Sequence, residues 1–216
     1  MNTTPARRDW RRGLYAITPA CADDRRLLAF ADAVLDGGAV LLQYRGKDDA
    51  APLRERRARA LAERCRAAGV AFVVNDDLDL AARLGVGVHV GGDDAPVAEA
   101  RARLGPDAIV GASCYADPER ARRARADGAS YVAFGAFFPS PTKPHAVAAD
   151  PGLLAGAAAL DLPRVAIGGI RLDNAATLVA AGADLVAVIS DLADHPQPAE
   201  RAAAYAALFA TSGNPP

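Results

Sequence analysis

The residues able to do chemistry stand in short polar clusters, each directly behind an apolar run. QYRGK supplies Gln43, Arg45 and Lys47, NDD supplies Asn75 and Asp76, and GGDD supplies Asp93 and Asp94. Ser113 ends another run, IGGI brings Gly168 and Gly169, and VIS brings Ile189 and Ser190. FFPSPTKPHA, residues 137–146, sets Ser140, Thr142 and Lys143 among Pro139, Pro141 and Pro144. Those prolines restrict the backbone. A loop stiffened around two hydroxyls and an ammonium suits an anion.

Two carboxylates brought close together repel, so Asp76 and Asp94 need a cation or a shared proton. Oxygen ligands without a His/Cys set point to Mg²⁺, which takes one or two carboxylates and leaves places for phosphate oxygens and water. In the competing reading one or both acids cap the helices that follow; Asp76 and Asp77 precede one. The opposing charges are Arg45, Lys47 and Lys143. Arginine offers a planar fork for phosphate, and lysine a point charge. The chain is rich in arginine, yet Lys47 and Lys143 are its two lysines, and both stand in polar motifs behind strands. Gly168 and Gly169 let backbone N–H groups approach a ligand without Cβ obstruction. With Ser190 they suggest a phosphate cup of the kind found behind the seventh and eighth strands of barrels. Two facing anion sites fit a reaction that joins two phosphorylated molecules. Ser–His–Asp and Cys–His arrangements are absent from the pattern.

What could gather these clusters is an alternation of strands and helices. Apolar runs at 14–18, 40–45, 71–76, 87–91, 108–113, 131–136, 164–169 and 185–190 read as strands. Helices are expected over 23–35, 51–67, 77–84, 96–104, 118–126, 151–160, 173–181 and 198–209. Most strand runs are apolar throughout, which suits a parallel sheet buried on both faces. Eight such units predict an α/β fold, a single-domain (β/α)8 TIM barrel, over residues 13–210. An open doubly wound sheet competes, but no G-x-G-x-x-G follows the first strand. In a barrel the strand ends converge on one mouth.

Composition bounds the rest. The 216 residues suffice for one large domain, and 51% hydrophobic with 24% charged is ordinary for a soluble globular protein. A net charge of −1 argues against nucleic-acid or membrane partners of the bulk electrostatic kind. Cys21, Cys65 and Cys114 read as reduced thiols of a cytoplasmic protein. No signal peptide or bilayer span is visible in the sequence. Residues 1–12 read as a basic, solvated arm with Trp10 packed on the barrel, and 211–216 as a flexible tail. The oligomeric state stays open, a homodimer being one option.

QYRGK, VVNDDLDLA, GVHVGGDD, FGAFFPSPTK, VAIGGI and AVIS occur in the order seen in thiamine phosphate synthases, and the resemblance spans roughly residues 13–192. It implies a transferase of thiamine biosynthesis that joins a hydroxymethylpyrimidine diphosphate to a thiazole phosphate and releases pyrophosphate. It implies that Asp76 and Asp94 hold Mg²⁺. Arg45, Lys47, Asn75, Ser140, Thr142 and Lys143 would bind the pyrimidine diphosphate, with Gln43 reading the ring. Ser113 would lie beside the leaving group, and Gly169, Ile189 and Ser190 would hold the thiazole phosphate. The implied mechanism is a dissociative substitution needing no protein nucleophile. Arg45, Lys47, Ser113 and Lys143 would carry catalysis.

The chain departs from the family pattern at three places. Gly92 stands where Gln is frequent, Tyr115 where His is common, and Ser140 where Thr is frequent. The charged set is intact, so the departures bear on fine contacts. Tyr115 either replaces the imidazole as a hydrogen-bond donor or packs. Tyr15 on the first strand is a candidate pyrimidine contact. His89 reads as a barrel-interior residue, His145 and His195 as surface, and Cys114 as packing. Two rivals remain: a thiazole tautomerase of the same barrel family, which would use an acid–base histidine, and a non-catalytic barrel that binds a phosphorylated metabolite. Asp94 and the absent histidine favour the synthase over the first. The acid pair together with Lys143 favours it over the second.

Overall fold

The computed structural model describes residues 7–92, 94–139 and 149–210. Its strands are β1 (Gly13–Ile17), β2 (Leu41–Tyr44), β3 (Ala71–Asn75), β4 (Gly87–Val90), β5 (Val110–Tyr115), β6 (Tyr131–Phe134), β7 (Arg164–Ile167) and β8 (Leu185–Val188). They are parallel and close in chain order, β8 pairing with β1. Between them run α1 (Asp24–Asp36), α2 (Ala51–Ala68), α3 (Leu78–Leu84), α4 (Val97–Leu104), α5 (Pro118–Ala126), α6 (Gly152–Gly156) and α7 (Leu172–Ala180). After β8 come α8 (Ser190–Ala193) and α9 (Pro198–Ala210). The fold is the expected (β/α)8 barrel.

Most strands stop one or two residues before the apolar runs do. At several of these ends the backbone leaves extended geometry, with φ of +63° at Asp76, +100° at Gly168 and +62° at Gly169. Residues read as strand ends are therefore loop residues facing the mouth. The helix expected over 151–160 is broken into α6 and a 3-10 turn, Ala158–Leu160. Gly156 weakens the middle of that run, and Asp161 ends it at φ +53°. The four-residue α8 is too short to leave a periodic signal.

Alternation along the strands divides the core in two. Tyr15, Ile17, Leu41, Val73, Tyr131, Ala133, Val165 and Leu185 fill the barrel interior. Their neighbours Leu14, Leu42, Phe72, Val88, Val132 and Val186 face the helices. Each large apolar side chain so buried contributes about 1.5–3 kcal/mol.

Helix starts follow local chemistry. Asp23 caps α1 through a 2.9 Å bond from the Arg25 N–H. Asp117 caps α5, where Pro118 takes the first helical position.

The arm is not wholly solvated. Trp10 packs edge-on against Tyr131 at 6.1 Å. Arg8 donates to the carbonyls of Leu35 and Ala39, at 3.1 and 2.9 Å, in and just beyond the last turn of α1. The three cysteines are free thiols. Among the described residues no helix is long and apolar enough to cross a membrane.

Candidate functional site

The C-terminal strand ends surround a cavity of about 810 Å³. Gln43, Arg45, Lys47, Asn75, Asp76, Asp94, Ser113, Gly169, Ile189 and Ser190 all line it. Five polar strand-end clusters and the Gly-Gly turn thus meet at one mouth. Ser140, Thr142, Lys143 and His145 lie outside the described residues, as does Asp93. The segment leading to that loop sits beside the mouth: Phe138 N–H donates to Gly168 O at 3.1 Å, and Pro139 lines the cavity.

The capping alternative for the acids resolves residue by residue. Asp77, not Asp76, caps α3, accepting from Leu80 N–H at 2.9 Å. Asp76 takes a left-handed backbone, uncommon outside glycine, and meets Lys47 Nζ at 3.1 Å through Oδ2. Asp94 accepts from Gly91 N–H at 2.6 Å and does not cap α4, where Pro96 is the N-cap. Burial, and then hydrogen bonding to Asp76, holds the Asp94 carboxyl above its ordinary pKa. Two carboxylates in contact are the pattern that a shared proton or a divalent cation relieves. Among the described residues no group of three or more His, Cys, Asp or Glu could hold a metal. Two acids with room for phosphate oxygens and water fit Mg²⁺ rather than a metal caged by protein.

The opposite side of the mouth is built from β7 and β8. Gly168 and Gly169 carry positive φ, and a Cβ at Gly169 would lie 2.5 Å from Phe138 O. Ser190 opens α8. Gly168, Gly169, Ile189 and Ser190 line the same cavity as Arg45, Lys47 and the acid pair.

These motifs run through almost the whole chain. A family profile described as Thiamine monophosphate synthase matches residues 14–192. The chain belongs to the thiamine monophosphate synthase family. It is 57% identical to the thiamine-phosphate synthase of Chromobacterium violaceum over 198 residues, which is 91% of this chain and 96% of that one. It is 55% identical to the enzyme of the same name from Azoarcus sp. over 202 residues, covering 92% and 98%. The solved thiamine phosphate pyrophosphorylase of Pyrococcus furiosus superposes with a TM-score of 0.80 at 29% identity, covering 95% and 98%.

Within this thiamine monophosphate synthase barrel, Tyr15 lies beneath the cavity instead of lining it. It is 1% exposed, and Gln43 Nε2 donates to its hydroxyl at 2.6 Å. His89 is an interior residue as expected, but it also lines the cavity and bonds Ser113 Oγ at 2.9 Å. Burial pushes its pKa down to about 4. His195 lies at the surface rim of the cavity, half-buried, with Nδ1 accepting from Gln197 N–H. Arg171, Asp191 and Arg201 also line the mouth and were not singled out from sequence. Arg171 directly follows IGGI, a usable signal; Arg201 lies on α9 and has none. Cys114 is fully buried, its thiol pushed up to about 12 by burial.

The two family departures at 92 and 115 touch each other. Tyr115 Oη accepts from Gly92 N–H at 3.3 Å. A Cβ at Gly92 would meet that same oxygen at 3.1 Å. Arg120 stacks over the Tyr115 ring at 5.3 Å and donates to Ser113 O at 3.0 Å.

Proposed function

We propose that the protein couples 4-amino-5-hydroxymethyl-2-methylpyrimidine diphosphate with thiazole phosphate, forming thiamine phosphate and pyrophosphate. The observation carrying this is the shared cavity, with the Asp76–Asp94 pair, Arg45 and Lys47 on one side and the Gly169–Ser190 cup on the other. Family membership supports the same reading.

The C–O bond between the pyrimidine methylene and the diphosphate breaks, and its electron pair leaves with the diphosphate. The thiazole nitrogen lone pair then forms the C–N bond. Asp76 and Asp94 would hold Mg²⁺, which when bound neutralises charge growing on the leaving group. Arg45, Lys47, Asn75 and Ser113, joined by Ser140, Thr142 and Lys143, bind the same diphosphate. Their contribution is electrostatic and grows as the bond breaks. Gln43 reads the pyrimidine, while Gly169, Ile189 and Ser190 seat the thiazole phosphate and orient its nitrogen. The protein supplies no nucleophile. The assignment to the cytoplasm belongs to this reading.

The test mixes purified protein with both substrates and Mg²⁺, following thiamine phosphate by chromatography and pyrophosphate by a coupled assay. Equal formation of both products, dependent on both substrates, is expected. Tight binding without pyrophosphate release would replace the synthase with a binding protein.

A further inference from the structure

Five polar side chains from five strands form one hydrogen-bonded chain through the barrel interior. Ser113 Oγ lies 2.9 Å from His89 Nε2, and His89 Nδ1 lies 2.8 Å from Tyr131 Oη. Tyr131 Oη lies 2.7 Å from Tyr15 Oη, which accepts from Gln43 Nε2 at 2.6 Å. Tyr15 and Tyr131 are at most 1% exposed. The His89 ring stacks on Tyr131 at 5.6 Å with 17° between planes. Gly111 makes the room, since a Cβ there would stand 2.0 Å from Tyr131 Cζ. Among the described residues, neither phenol hydroxyl has another bonding partner. Only the two ends of the chain, Gln43 and Ser113, border the cavity together with His89.

Proton counting gives this chain a direction. A phenol has one hydrogen and donates to one neighbour, and a neutral imidazole has one N–H. The buried His89 ring bonds a hydroxyl at each nitrogen and no carboxylate among the described residues, so nothing there balances an imidazolium charge. The hydrogens therefore all point toward Ser113 or all point toward Gln43. Gln43 turns its N–H₂ to Tyr15, which selects the first sense. Tyr15 then donates to Tyr131, Tyr131 to His89 Nδ1, and His89 Nε2–H to Ser113 Oγ. Ser113 keeps its own hydrogen for the cavity. Gln43 keeps its side-chain Oε1, which no described residue bonds, for the cavity.

We propose that Tyr131 and Tyr15 are positioning residues that lock the His89 tautomer, fixing Gln43 as an acceptor and Ser113 as a donor toward the cavity. On the function proposed above, the acceptor faces the pyrimidine amino group and the donor faces the departing diphosphate. A 4-oxo pyrimidine presents an acceptor where the amino group donates, so the locked amide discriminates against it. Neither tyrosine touches the reacting atoms.

The test has two independent readouts. Long-range ¹H–¹⁵N spectra of histidine-labelled protein, with His89 assigned by His89→Asn, should show the Nε2–H tautomer in the wild type and a shift toward Nδ1–H in Tyr131→Phe. In steady state, Tyr131→Phe should lower kcat at least tenfold and leave KM for the thiazole phosphate within twofold. It should also cut the preference for 4-amino over 4-oxo pyrimidine diphosphate at least tenfold. If Tyr131→Phe does not fold, Tyr15→Phe cuts the chain on the Gln43 side: Tyr131 still donates to His89 Nδ1, so the Nε2–H tautomer should stay, while the released Gln43 amide should cut the preference for the 4-amino ring at least tenfold. An Nδ1–H tautomer in the wild type overturns the proposal, as does a variant with unchanged tautomer and preference. Turnover with the wrong tautomer sinks this inference alone. Absence of thiamine phosphate synthesis sinks the functional reading, and the spectra then still decide the relay.

Discussion

Lys47 bridges from the β2 end to Asp76 at the β3 end, Nζ to Oδ2 at 3.1 Å, while about half of the lysine side chain stays open to solvent. An ion pair this exposed contributes about 0–1 kcal/mol. It can rearrange cheaply when a diphosphate enters. Lys47→Ala is thus expected to move the urea unfolding free energy by less than about 1 kcal/mol, yet to lower kcat/KM for the pyrimidine diphosphate at least tenfold. A large stability loss with unchanged kinetics would make Lys47 structural.

Asp94→Ala tests the proposed cation site. Losing one of two carboxylates should raise the Mg²⁺ concentration for half-maximal activity by at least about tenfold, the loss that even an outer partner of a metal ligand brings. An unchanged titration in that assay would remove Asp94 from the metal.

Lys143→Ala tests the proline-stiffened loop. Leaving-group charge develops most in the transition state, so kcat should fall by about 10²–10³-fold. Circular dichroism should show the fold intact. Wild-type turnover would take the loop out of the chemistry.

His89 predicts a pH effect on stability. Its folded pKa, about 4, lies below the ordinary 6.5. Between those values the unfolded chain binds a proton that the folded chain refuses, so stability present above pH 6.5 is lost as pH falls toward 4. Between pH 7.5 and 4, the wild type should lose about 3 kcal/mol more than His89→Asn. Parallel urea profiles for the two proteins would contradict the buried, neutral imidazole.

Arg57 on α2 supports the loop that carries Arg45 and Lys47. Its side chain is 4% exposed and binds Asp24 at 2.6 Å, Asp49 at 2.8 Å and the carbonyls of Cys21 and Ala22. Asp49 also accepts from Tyr44 Oη. Arg57→Ala leaves the largely buried Asp49 without its cation and should cost about 3–5 kcal/mol in urea unfolding. Arg57→Lys should recover only part, because the planar fork is lost. A cost below 1 kcal/mol would show the network to be dispensable.

Much of the site was legible because its residues stand in short motifs behind strands. QYRGK, NDD, GGDD and IGGI each end an apolar run, and barrel closure necessarily gathers such ends. The reading was weaker where local and distant roles look alike. Asp76 and Asp77 are adjacent acids before a helix, and the left-handed turn at Asp76 decides which one caps. Tyr15 reads from sequence as a direct pyrimidine contact, Tyr131 looks like an ordinary core aromatic, and Arg57 like one of many helix arginines. Their roles come from partners 116, 42 and 33 positions away in sequence.

By itself the sequence determined the strand–helix alternation, the barrel and the identity of the charged groups at its mouth. Those follow from local hydrophobic pattern and from side-chain chemistry. Tertiary structure alone decided which of the adjacent acids caps α3, that Tyr15 sits beneath the site, and that Gln43 and Ser113 are joined through His89 and two phenols. Hydrogen bonds and like-charge contacts act over about 3 Å, and only the closed barrel brings residues from five strands within that reach.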